Sequence, residues 1–322
     1  MKHNNASRVR WLEARVRADG EAVEAISEYF NRVSTGGAVL ERVEPAAPPD
    51  SPEAGLYWVI GYFPIHHTLE EEECRRRVEE AVWHINQVHP TGPVQFKLLE
   101  DEDWAEAWKA HYRPMKLGER LVIKPTWCEW QAQPDEVIIE LDPGMAFGTG
   151  LHPSTQLCLR ALERYCRPGQ KVLDLGCGSG ILSIAAGKLG AERILALDID
   201  ALAVEVAADN VAANGLAERV LVLQGTLPPR GEEDQRAVDE AVLMAPQGFD
   251  LMLVNILAEV IATMISHGLD AWLAPDGLMI LSGIIQEREE LVQDALEEAG
   301  LRVVERQTQG DWVGFVVRKT GG

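Results

Sequence analysis

Leu12, Ala14, Val16 and Ala18 alternate with Glu13, Arg15 and Arg17, the period-two pattern of a half-buried strand. Ala22, Val23, Ile26, Phe30 and Val33 then fall on one helical face, and Gly36-Gly37 introduces an apolar run over 38–43. A loop with Pro45, Pro48, Pro49 and Pro52 leads to a β-branched and aromatic run over 56–63, a third strand. From Glu70 the chain opens with four glutamates, which suit a helix N-terminus, and sets Cys74, Val78, Ala81, Val82, Ile85 and Val88 on one face. Val94, Phe96 and Leu98, alternating with Gln95 and Lys97, predict a fourth strand.

The resulting order, β-α-β-β-α-β, is the split βαβ or ferredoxin-like plan. Residues 103–112 (DWAEAWKAHY) read as a connecting helix, followed by strands over 121–125 and 137–141. From Lys171 apolar runs alternate with helical patterns, with strands expected at 172–175, 194–197, 220–223, 251–254, 278–281, 301–306 and 312–318. This is the rhythm of a doubly wound, seven-stranded parallel sheet, and the short connection through Gly310 makes the last pair antiparallel. The acidic, weakly patterned stretch 228–247 reads as a surface insertion between two strands. The expected division is therefore 1–100, a ferredoxin-like α+β domain; 101–120, a helical connector; and 121–322, a Rossmann-like α/β domain.

With 46% hydrophobic and 25% charged residues over 322 positions, the composition is that of a globular chain able to bury two cores. No run reaches the about 18 apolar residues of a membrane span, and the polar start lacks a signal-like apolar segment, so a cytoplasmic protein without membrane contact is expected. Five cysteines without a CxxC pair argue against disulfides, structural zinc and iron–sulfur chemistry. The net charge of −21 is uneven: residues 1–100 carry 11 Lys and Arg against 16 Asp and Glu, residues 101–322 carry 19 against 35. Such a surface repels phosphate backbones, so a basic protein partner suits it better than nucleic acid. A monomer is expected.

The sharpest chemical signal is Val172-Leu-Asp174-Leu-Gly176-Cys-Gly178-Ser-Gly180-Ile181, a buried strand turning through alternating glycines into a helix. Glycines let the backbone turn tightly and let a ligand approach it. The dinucleotide fingerprint needs a glycine where Ile181 stands, and the Walker Gly-Lys-Ser/Thr is absent, so both phosphate-binding readings weaken. The bland alternative is a turn that only packs strand on helix; Cys177 itself reads as a small buried filler. The Asp-x-Gly-x-Gly-x-Gly form resembles motif I of class I S-adenosylmethionine-dependent methyltransferases, which implies Asp174 at the ammonium side of the cofactor.

Asp198 ends the next strand, where the analogous acid of dinucleotide folds binds ribose hydroxyls; Asp200, just beyond the apolar run, suits a helix N-cap. Asn255 ends the fourth strand of this sheet, and strand C-termini are where open α/β sheets bind ligands. The Asn255-Ile-Leu-Ala258 run resembles the Asn-Pro-Pro-Tyr site of amino methyltransferases, in which the amide oxygen accepts from the attacking amine. The alternative is an asparagine that caps the following helix. Ahead of motif I, the glycine-rich stretch 141–155, with Phe147, Gly148, Thr149 and Gly150, suggests a loop able to fold over a ligand. His152, beside Pro153, reads as structural rather than as a base. His66-His67 with Cys74 lacks a fourth ligand, so no metal site is expected. The tryptophans around the connector, Trp104, Trp108, Trp127 and Trp130, lack the basic residues of a nucleic-acid platform and read as packing.

Taken together, the Asp142-Pro-Gly-x-Ala-Phe-Gly-Thr-Gly-x-His-Pro-x-Thr155 run, the Asp174 to Leu182 run and Asn255-Ile-Leu-Ala resemble the PrmA-type ribosomal protein methyltransferases, which modify the large-subunit protein L11. That resemblance covers most of the chain and implies a ferredoxin-like substrate-recognition domain before a methyltransferase domain. It also implies cofactor contacts from Thr155, Gly176, Asp198 and Asn255, with the 147–150 loop over the site. The chain departs from the family pattern in the 228–247 insertion, in Leu151 and Ser154, and in an N-terminal half that matches only in pattern. The expected activity is methyl transfer from S-adenosylmethionine to lysine or N-terminal amino groups of L11. The rivals are a methyltransferase for another protein, a small amine or RNA, and a cofactor-binding scaffold without turnover.

Overall fold

The computed structural model describes residues 10–43, 56–65, 67–100, 114–141, 150, 152–227 and 235–319. The expected 103–112 helix, with Trp104 and Trp108, and residues 147–149 of the glycine loop lie outside them. The described residues up to 100 form one compact unit and those from 114 onward a second.

In the first unit, β1 (Arg10–Ala18), β2 (Thr35–Arg42), β3 (Tyr57–Ile65) and β4 (Gln95–Glu100) form an antiparallel sheet in the order β2-β3-β1-β4. The Gly20–Val33 and Thr68–Asn86 helices complete the ferredoxin-like plan. Leu12, Ala14, Val16 and Ala18 join Ile26, Phe30, Val78 and Val82 in one core, as the alternation requires. β1 is nevertheless more than half-buried, because Trp11 and Glu13 on its other face are covered too. The second helix stops at Asn86, which leaves Val88 exposed rather than on the buried face. Its N-cap is His67, whose Nδ1 accepts from the Glu70 amide at 3.1 Å, so this histidine has a structural role.

In the second unit, β8 (Lys171–Leu175), β9 (Arg193–Asp198), β10 (Val220–Gln224), β11 (Phe249–Asn255), β12 (Leu273–Ile285), β13 (Leu301–Gln309) and β14 (Trp312–Lys319) form a seven-stranded sheet in the order β10-β9-β8-β11-β12-β14-β13. The first five are parallel, while β14 runs antiparallel to both β12 and β13. The apolar runs are continuous rather than alternating because both faces are covered: Val172, Ile194, Leu251 and Leu253 enter one core, Leu173, Leu195, Met252 and Val254 the other. Each such side chain, fully buried, contributes about 1.5–3 kcal/mol.

Two features depart from the sequence reading. The strands β6 (Leu121–Lys124) and β7 (Val137–Glu140) join β5 (Met115–Leu117) in a separate three-stranded sheet. The Glu163 carboxylate accepts from the amides of Glu119 and Arg120, at 2.8 and 2.6 Å, fixing the turn that joins the first two strands of this sheet. The expected surface insertion contains a helix, Gln235–Met244, whose Ala237, Ala241 and Met244 are buried in the second core. Its small apolar residues recur at helical spacing but are diluted by the acidic positions between them. No helix among the described residues is long and apolar enough to cross a membrane.

Candidate active site

Because β8, β9, β10 and β11 are parallel, their C-terminal ends share one edge of the sheet, and the strand order reverses between β8 and β11. Open α/β sheets bind ligands at that switch point. β8 leaves it through Gly176, Gly178 and Gly180, all at positive φ (70°, 54° and 79°), and enters the Ile181–Lys188 helix. The turn is tied to β9 by the amides of Gly176 and Cys177, which donate to the Leu197 carbonyl at 2.8 and 3.0 Å. Cys177 is buried and its thiol is pushed well up by that burial, so it is the inert filler expected of it.

Asp198 closes β9. Its Oδ2 accepts from the Gly178 amide at 2.9 Å and its Oδ1 from the Asp200 amide at 3.0 Å, so the carboxylate is held against the glycine turn with lone pairs to spare. Asp200 caps the next helix by accepting from the Leu202 amide at 3.0 Å. Asp174 is wholly buried in β8. Its Oδ2 accepts from the Ser183 hydroxyl at 2.6 Å, and its Oδ1 has no partner among the described residues. Burial pushes its pKa up to about 7, against the pull of the hydrogen bonds from Ser183 and with a smaller push from the Asp198 charge.

Asn255 ends β11 in register with Ser282 of β12. The helix that follows, Ala258–Ser266, has Leu257 at its N-cap and no side-chain capping bond, so Asn255 is not a helix cap. Its Nδ2 donates instead to Oγ1 of Thr155, 3.3 Å away and 100 residues earlier in sequence. Its Oδ1 is buried and has no partner among the described residues. Thr155 lies in the first turn of the Pro153–Tyr165 helix, which His152 caps. His152 packs its ring edge-on against Trp312 with centroids 4.4 Å apart, and burial lowers its pKa to about 3. It is a neutral structural residue, as the sequence reading held.

The structure thus brings Thr155, Asp174, Gly176, Gly178, Gly180, Asp198 and Asn255 onto or beside one sheet edge, while Phe147, Gly148 and Thr149 fall outside the described residues. Two contributors went unnoticed in the sequence. Ser183 was hidden in a helix pattern. Gly283 sits at φ 81°, where β12 shifts register against β14 between Leu281 and Ile284. A Cβ at Gly176 would collide with the side chain of Ile256, and one at Gly283 with the Ile256 backbone. The residue after Asn255 is therefore wedged between the cofactor-type turn and a strand bulge, and an isolated glycine within a strand pattern was the available signal. Gly283→Ala is expected to cost about 2–3 kcal/mol through strained φ and overpacking. Chemical denaturation would read this as a lower midpoint, and an unchanged midpoint would show that β12 shifts freely.

S-adenosylmethionine carries an ammonium and ribose hydroxyls, all of them donors. The buried Oδ1 of Asp174, without a described partner, and the strand-end carboxylate of Asp198 match that set in chemical type, so the residues present fit the group.

The family model described as "Ribosomal protein L11 methyltransferase (PrmA)" matches residues 10–320. The chain is 44% identical to the ribosomal protein L11 methyltransferase of Chloroflexus aurantiacus, over 96% of this chain and 98% of that one. It is also 44% identical to the namesake from Herpetosiphon aurantiacus, over 97% and 99%. A solved structure titled as a ribosomal protein L11 methylase, from Lactobacillus delbrueckii subsp. bulgaricus, is 34% identical, with a TM-score of 0.54 over 65% of this chain and all of that one. Matched from its first strand to its last, with the fold and the strand-end residues described above, this chain belongs to the ribosomal protein L11 methyltransferase (PrmA) family.

Proposed function

We propose that the protein transfers methyl groups from S-adenosylmethionine to amino groups of ribosomal protein L11, on lysine side chains or the N-terminus, acting in the cytoplasm as a monomer. The observation that carries this reading is the Oδ1 of Asn255 at the switch point of the sheet, buried and without a partner among the described residues. When bound, S-adenosylmethionine supplies an electrophilic methyl group on a sulfonium.

The chain's own residues do the rest. The Gly176–Gly180 turn and Asp198 hold the cofactor, the latter through its ribose hydroxyls, and Asp174 serves the ammonium end. Residues 1–100 select the substrate, and the unit from 114 onward carries the transfer site. A lysine with a pKa near ~10.4 is almost wholly protonated at neutral pH and has no lone pair to donate. A dry site disfavours the ammonium form, and Asn255, a neutral acceptor, takes a hydrogen bond from the amine and aims its lone pair. Holding nitrogen, methyl and sulfur in line contributes up to about 7–11 kcal/mol through proximity and orientation. The net charge of −21 suits a basic protein substrate and opposes RNA.

Incubation with labelled methyl donor and purified L11 is expected to place label in L11 and in no other added protein. Absence of label in L11 would overturn the substrate, and cofactor binding without any turnover would favour a scaffold. Asp198→Ala is expected to weaken cofactor binding about 10–100-fold, the effect of losing hydrogen bonds to a charged acceptor. Calorimetry giving wild-type affinity would remove Asp198 from the site.

A further inference from the structure

An asparagine amide is nearly symmetric in shape, and turning it over exchanges an acceptor for a donor. With its NH2 toward the substrate, Asn255 would donate to the amine lone pair and block the attack it is meant to aim. Something has to decide which end faces the reaction. The described contact made by this side chain to another is the bond from Nδ2 to Oγ1 of Thr155, 3.3 Å, and it leaves Oδ1 buried and without a partner among the described residues.

We propose that Thr155 is the positioning residue of the site: its hydroxyl accepts from Nδ2 and so presents Oδ1 of Asn255 to the attacking amine. This rests on the role given to Asn255 above. A hydroxyl also donates, and one with its proton turned toward Asn255 would hold the amide the other way round. Thr155 therefore sorts the amide only while its proton goes elsewhere. In the structure the hydroxyl stands as the acceptor of this pair. With the hydroxyl as acceptor, the amide is fixed in its productive orientation. The mount is rigid: Thr155 is 1% exposed, its helix is capped by His152, and that ring is pinned against Trp312.

The test is a double-mutant cycle on single-turnover methylation with cofactor saturating, so that loss of cofactor affinity does not enter the rate. Cofactor dissociation constants are measured separately by calorimetry. Thr155→Val keeps the volume and removes the acceptor; Thr155→Ser keeps the acceptor; Thr155→Ala is the second probe should the valine variant fold poorly. The expected result is a rate about tenfold lower in Thr155→Val or Thr155→Ala, because misorientation costs rate even where binding survives. Thr155→Ser is expected to stay close to the wild-type rate, and Thr155→Val to cause no further loss in an Asn255→Ala background. A Thr155→Val variant that binds cofactor more weakly yet turns over normally at saturation would overturn the proposal while leaving Asn255 in place, as would losses that multiply in the double mutant. A near-normal Asn255→Ala rate would instead overturn the role of Asn255, and the proposal with it.

Discussion

Asn255→Ala is expected to slow the chemical step of methyl transfer by about 10²–10³-fold, the usual loss when one preorganised acceptor or donor is removed from a reacting centre. Cofactor affinity should change much less, because the glycine turn and the Asp198 carboxylate bonded to it, at 2.9 Å from the Gly178 amide, stay in place. Asn255→Asp discriminates further. A carboxylate still accepts hydrogen, but it stabilises the unreactive ammonium form of the substrate. It also loses the N–H that Thr155 accepts. Its rate should start low at neutral pH and recover partly as pH rises and more of the amine becomes neutral. Single-turnover rates measured against pH, with cofactor saturating, decide the matter. Near-normal rates in both variants would leave Asn255 as a cofactor contact alone.

The machinery at the sheet edge was legible because each part is written locally. Val172–Leu175 is too short and too apolar for anything but a buried strand, and the glycines after it signal a tight turn. Asp198 and Asn255 each follow an apolar run, which places them at strand ends without any knowledge of the sheet. The parts that stayed hidden are those supplied across long stretches of chain. Nothing near Glu163 announces that its carboxylate takes the amides of Glu119 and Arg120, and nothing near Thr155 announces Asn255. Gly283 reads as a weak spot in a strand until the backbone of Ile256 is seen against it. In the Gln235–Met244 helix, alanines at 237 and 241 bury little area each, so an acidic background masked a face that the core still uses.

Asp174→Asn is expected to remove a pH dependence of both stability and cofactor binding. Burial lifts the Asp174 pKa from 3.8 to about 7, so the folded protein holds a proton that the unfolded chain has released. A raised folded pKa contributes stability that is fully present below the unfolded value near 3.8 and is lost as pH rises through 7. The shift of about three pKa units corresponds to on the order of 4 kcal/mol. The stability difference between Asp174→Asn and wild type, measured by denaturant unfolding, should therefore be flat below pH 4 and grow in favour of the variant up to about pH 7. Cofactor binding supplies the compensation. An ammonium brought to the buried Oδ1, which has no partner among the described residues, favours the ionised carboxylate, so binding near pH 7 should release a proton, and affinity should climb as pH approaches 7 from below. Calorimetry in two buffers of different ionisation enthalpy counts that proton directly. In Asp174→Asn the proton release should vanish and the affinity should fall, since an amide offers the ammonium no charge. If wild type and variant bind with the same affinity and the same proton count across pH 5–8, Asp174 does not face the ammonium, and its bond with Ser183 serves packing of the turn alone.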